Sequence, residues 1–268
     1  MNEMLKLFPD SIKLHEDLVK RFEEYGEFNS RIINKTNIFP ELRKPLFSLE
    51  LPKFDLSDIK IDYTDLKRVI KKNSKLGWTL TFDMAVNLYL DEKLLKLCDQ
   101  EINKVFVDYY KSENSSQYKK EKQNIIKHID SKWEDTLNEC FYLFESGYYR
   151  NQIPFLITII EGEIADFSNL HSYLGKTLIR KWKRKLDTKG NNLDALILYS
   201  LFYFLENSLF NKDEFEDERN SIINRNRVLH GRDNPNLWAE ADYYRLINTI
   251  SSIQTSKNII NDYIKKMK

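Results

Sequence analysis

Apolar and polar side chains follow a helical period along most of this chain. Residues 11–35 carry Ile12, Leu18, Phe22, Phe28, Ile32 and Ile33 with charges between them. This predicts an amphipathic helix or helix pair, broken near Gly26. Three prolines (Pro40, Pro45, Pro52) make residues 38–56 an extended connector. Asp55–Tyr63 alternates in the manner of a short strand. Lys67–Tyr109 reads as helical, with a break at Gly77-Trp78. The polar run Lys111–Lys122 reads as a linker or a long exposed loop.

Beyond that run the pattern predicts consecutive helices. Ile125–Glu145 ends at Gly147 as a C-cap. Asn151–Phe167 follows, with Pro154 tolerated in its first turn. Leu174–Leu186 is basic, and Asn192 caps an apolar helix through Asn207. Glu214–Leu229 is the next, closed by Gly231, and Asn234-Pro235 starts a last helix toward Lys268. The expected fold is therefore mostly α. A largely helical N-terminal region, 1–120, precedes a C-terminal helical bundle, 121–268.

Composition narrows the chemistry. The chain has 268 residues, 42 Lys and Arg against 41 Asp and Glu, so nucleic-acid affinity has to come from local clustering and not from bulk charge. Seven glycines and six prolines are few for turn-rich β folds or glycine-dependent nucleotide folds. Cys98 and Cys140 have no metal-ligand spacing, which fits a reducing cytoplasm. Met1–Asp10 lacks the features of a signal peptide. The apolar runs Ile153–Ile160 and Leu193–Leu205 are too short or interrupted to span a bilayer, so no membrane partner is expected. No Walker A loop, dinucleotide fingerprint, zinc spacing or nucleophile elbow is present.

One octapeptide, Asn224–Gly231, brings arginine and histidine together near a helix end. Arg225 lies five positions before His230, whereas the other three histidines have Asp10, Gln123 and Asp166 at that offset. RNA cleavage by the neighbouring 2′-hydroxyl needs a base to take the hydroxyl proton, and a cation for the charge gathering on phosphorus. Histidine and arginine supply these. Five helical steps turn about 140°, so the two side chains share a face only if the helix stops near Gly231 or a second chain completes the site. By spacing alone, a capping or solvent-facing histidine is the commoner reading.

Arg225-Asn226-x-x-x-His230-Gly231 resembles the R-N-x-x-x-H signature of HEPN-domain ribonucleases. The segments Glu139–Tyr149 and Ile153–Gly162, closing on Glu161-Gly162, resemble the helix pair of bacterial HEPN proteins of the abortive-infection type. The resemblance covers about residues 125–268. It implies a helical bundle, usually a homodimer with two motifs facing each other, which cleaves RNA without metal or cofactor and leaves 2′,3′-cyclic phosphate ends. Carried over by position, Arg225 and His230 are the catalytic pair and Asn226 follows the arginine. Glu161 corresponds to an upstream acidic residue that orients the site in some members, or else is a carboxylate on a helix surface. A toxin or anti-phage effector acting on cellular RNA is implied, with an antitoxin or a phage-derived trigger as partner. The N-terminal region would sense that trigger, bind a partner or shape the substrate groove.

Lys176, Arg180, Lys181, Lys183, Arg184 and Lys185 place six positive side chains around Trp182 with no acidic one. They read either as an RNA-phosphate surface or as a solvated helix face with Trp182 in the core. Asp213–Glu218 reads as macrodipole compensation in preference to a magnesium site. Tyr199–Phe204 reads as core before it reads as a base-stacking platform. The alternative to an enzyme is a non-catalytic helical module that binds nucleotide, RNA or a protein partner.

Overall fold

The computed structural model describes residues 63–185, 193–212, 219 and 221–266. The helices expected over 11–35, the proline connector, most of the Asp55–Tyr63 strand, the Asn192 cap and the acidic run 213–218 lie outside the described residues. Nine α-helices and no strand occur among the described residues, so the protein is mostly α. None of these helices is long and apolar enough to cross a membrane.

The helices are α1 (Tyr63–Lys75), α2 (Val86–Tyr89), α3 (Asp99–His128), α4 (Ser131–Glu145), α5 (Ile153–Ser168), α6 (Gly175–Lys185), α7 (Leu193–Phe204), α8 (Arg225–Leu229) and α9 (Glu240–Lys266). A 3-10 turn, Glu92–Lys96, precedes α3, and a π-turn, Leu205–Leu209, extends α7. The last helix, α9, packs on both α3 and α5. Its apolar positions Tyr243, Leu246, Ile247, Ile250 and Ile253 are buried. The central α5 buries Ile153, Leu156, Ile157, Ile160 and Ile164, and meets α4, α6, α8 and α9. That position lets one α5 side chain reach two other helices.

Several expectations change. The run Lys111–Lys122 is no exposed linker. It lies inside α3, which bends at Ser112–Ser115, where Glu113, Asn114 and Ser115 are left-handed. Gln117, Tyr118 and Glu121 beyond the bend are buried. A polar composition hides this, because Gln117 and Glu121 are the polar residues that go inside. The boundary also moves. One compact unit is Thr64–Lys189 with Asp194–Lys268, so residues 64–120 belong with the C-terminal helices.

Helix starts shift as well. Of the expected helix Glu214–Leu229, residues 214–218 lie outside the described residues, 221–224 are not helical, and the helix begins at Arg225, where the extended Asn224 caps it. Asn234-Pro235 opens only a 3-10 turn, Pro235–Leu237. The long helix starts after Trp238, where the Asp242 carboxylate accepts the Ala239 N–H at 2.9 Å. The expected helix Ile125–Glu145 is split, since α3 runs to His128 and α4 starts at Ser131 behind the Asp130 cap. The expected helical stretch Lys67–Tyr109 is interrupted over 76–98, which holds only α2 and the 3-10 turn. The bounds of α5 and α6 hold closely. Pro154 sits in the first turn of α5 and Gly147 (φ +90°) follows the end of α4.

Candidate functional site

The motif helix α8 has only five residues, too few to hold itself without caps. Asn224 supplies the first cap. Its Oδ1 accepts the N–H groups of Asn226 (2.9 Å) and Arg227 (3.4 Å). Its amide Nδ2 donates to the carbonyls of Ser208 (3.2 Å) and Asn211 (2.9 Å), tying the helix start to the chain after α7. The other end is a Schellman turn. The Arg232 N–H donates to the Arg227 carbonyl at 2.7 Å, and the Gly231 N–H to Val228 at 3.1 Å. Gly231 takes φ +65°, a conformation open to glycine at little cost.

Arg225, the first helical residue, turns onto α5. Its Nε and Nη2 both donate to Glu161 Oε2, at 3.0 and 2.8 Å. Its Nη1 donates to Asn226 Oδ1 at 3.2 Å. The side chains of Arg225 and Glu161 are 15% and 10% exposed, so water screens the pair only weakly. The second Glu161 oxygen accepts the N–H of Gly175, the first residue of α6, at 2.5 Å. One carboxylate thus joins α5, α6 and α8. Its neighbour Gly162 is fixed by packing: a Cβ there would lie 2.4 Å from the Trp133 ring of α4.

His230 occupies the other end of α8 as its C-cap (φ −96°, ψ 7°) and is exposed. The helix has therefore ended before the histidine, as the five-residue spacing requires. The motif presents a half-buried, anchored guanidinium at one end and an exposed imidazole at the other. The loop that leaves His230 is also pinned. The nearly buried Asp233 accepts Arg219 Nε at 2.6 Å and the Trp238 indole N–H at 2.7 Å.

The basic helix α6 divides its charges. Leu178, Ile179 and Trp182 are buried, and Trp182 meets Phe202 edge-on at 4.7 Å. Lys176 donates to Asn211 Oδ1 at 2.7 Å, Lys185 to the Ser168 carbonyl at 2.7 Å, and Lys183 pairs with Glu206. Lys181 lies 4.2 Å over the Tyr173 ring. Arg180 and Arg184 are exposed one turn apart. Trp182 is core, and the outward charge reduces chiefly to two arginines.

The residues brought together are Glu161, Arg225 and Asn226, with Lys176 joined through Asn211 and Asn224. Sequence reasoning missed Asn211, the Gly175 N–H and the Asp233 clamp. The preference of asparagine for helix N-caps was the available signal for Asn224. The Glu161–Arg225 contact spans 64 positions and leaves no local trace. Compared with protein-family models, curated proteins and solved structures, the chain finds no match.

Proposed function

We propose that this protein is a metal-independent endoribonuclease of the HEPN type. The observation that carries the reading is the Glu161 carboxylate holding Arg225 at the start of a helix that ends on the exposed His230. In the proposed reaction the 2′-oxygen of RNA attacks the adjacent phosphorus. His230 takes the 2′-hydroxyl proton, or delivers one to the departing 5′-oxygen. Arg225 stabilises the charge on the phosphorus-bound oxygens, with its fork fixed in advance by Glu161 and Asn226. The products are a 2′,3′-cyclic phosphate and a 5′-hydroxyl. A second copy of the chain supplies the second imidazole, which a single motif lacks. A toxin or anti-phage role on cellular RNA follows from the same resemblance, with an antitoxin or phage-derived trigger controlling it in a cytoplasmic setting.

Purified protein incubated with total RNA in EDTA tests the proposal. The expected result is fragments with cyclic phosphate ends, lost in His230→Ala. Intact RNA, or equal cutting by His230→Ala, overturns it.

A second reading has its own observation. All three Arg225 nitrogens donate to protein oxygens, which also suits a structural ion pair in a non-catalytic helical module that binds nucleotide, RNA or a protein partner. That reading predicts that Arg225→Ala changes binding or stability and that neither parent nor variant cuts RNA.

A further inference from the structure

A small cleft lies between α6 and α7, away from Arg225. It holds about 360 Å³ of space open to solvent and is lined by Lys183, Tyr199, Phe202, Tyr203, Glu206 and Asn207. Only about 80 Å³ of it is enclosed, well below the roughly 300–1,000 Å³ of ligand pockets, so it is a shallow surface notch beside the rings and not a closed pocket. Its walls follow from helical spacing. Phe202 and Phe204 point into the core, and Tyr199 and Tyr203, four residues apart, line the outer face of α7. Tyr199 remains 37% exposed. The two rings are 5.9 Å apart and tilted at 43°, so neither covers the face of the other.

Cations flank this pair. Lys71 of α1 sits 5.8 Å over the Tyr203 ring, and Lys183 of α6 sits 6.0 Å over Phe202. Two groups able to meet a base edge complete the rim. Glu206 pairs with Lys183, and Asn207 donates its amide to the Tyr203 carbonyl at 2.9 Å, leaving Oδ1 as an acceptor.

We infer that this cleft is a stacking subsite for an unpaired nucleobase of single-stranded RNA. Exposed aromatic faces bordered by lysines are what a strand with splayed bases requires, and a duplex has no free base faces to offer. An acidic peptide fits less well, since the ring faces would go unused. The cleft also shares its frame with the motif. Asn207 directly precedes Ser208, whose carbonyl accepts Asn224, and the helix carrying Lys183 begins at Gly175 on Glu161. The inference rests on the ribonuclease reading only in naming RNA as the strand.

The full chain is titrated by fluorescence anisotropy with an uncleavable 2′-O-methyl RNA of about 12 nucleotides and mixed sequence. Tyr199→Ala and Tyr203→Ala should each weaken binding about tenfold, and Tyr203→Phe should stay within about twofold of the parent. Circular dichroism confirms folding. If Tyr203→Ala fails to fold, Tyr199→Ala decides. A duplex of equal length and polyglutamate should compete poorly. No binding by the parent, parental affinity in the alanine variants, or equal competition by either polymer overturns the inference. Tyrosine-dependent binding without any cleavage removes the ribonuclease reading and leaves the subsite standing. Cleavage with tyrosine-independent binding does the reverse.

Discussion

Two glutamates on helices that both pack on α9 meet opposite fates. Glu161 on α5 reaches Arg225 and the Gly175 N–H close to the surface. Glu121 on α3 is fully buried beneath the aromatic cluster of Tyr110, Tyr118, Phe144, Tyr243 and Tyr244. A phenol and an amide donate to it. Tyr110 Oη donates to it at 2.9 Å and Gln117 Nε2 at 3.2 Å. Burial pushes its carboxyl up to about 8, so it sits in the core as a neutral acid at pH 7. Burial also raises the Tyr110 hydroxyl well above its ordinary range. The difference separates scaffold from site. A carboxyl held by a phenol and an amide is absorbed as a hydrogen-bonding group. One with an arginine holds a charged fork at the edge of the protein, on the helix that carries an exposed histidine.

Removing a partner breaks this contrast most sharply. Arg225→Met leaves the buried Glu161 carboxylate with only the Gly175 N–H, at a cost of about 3–5 kcal/mol of stability in urea unfolding. A cost near zero would place the pair among surface ion pairs and remove it from the framework.

The next effect concerns pH. The folded-state value of Glu121, about 8, lies above its ordinary value of 4.5. Below 4.5 both folded and unfolded chains hold the proton, and the Glu121 contribution is fully present. As pH rises toward 8 only the unfolded chain releases it, so stability falls. Glu121→Gln should flatten that fall by about 4 kcal/mol over this range. An unchanged pH profile would show that Glu121 is charged in the fold.

The smallest effect falls on the motif turn. Gly231→Ala places a Cβ at φ +65° and should cost about 1 kcal/mol, read as a small drop in urea midpoint. A neutral result would show that the turn after His230 is not held in place.

The helical bundle was largely legible because α4, α5 and α6 carry clean apolar spacing and glycine or proline punctuation. The burial of 117–121 was not, because its inward residues are glutamine and glutamate, which pattern reading assigns to solvent. The start of α8 was misplaced because a charged, helix-favouring run precedes it, and the Asn224 cap outweighs that propensity. In the site, the Arg225–His230 spacing was readable and the end of the helix at Gly231 was foreseen. The partners of Arg225 came only from the fold, since Glu161 and Gly175 lie far away in sequence. The basic run on α6 overstated its free charge, because Lys176, Lys183 and Lys185 bend back onto protein oxygens.

The contrast between the two glutamates is tested most directly by comparing RNA cleavage rates in EDTA at neutral pH for the parent, Glu161→Gln and Glu121→Gln. The account predicts that Glu161→Gln slows cleavage at least about tenfold by releasing the Arg225 fork, and that Glu121→Gln cuts at the parental rate. Equal rates for Glu161→Gln and the parent, or a parent that cuts no RNA, would contradict it.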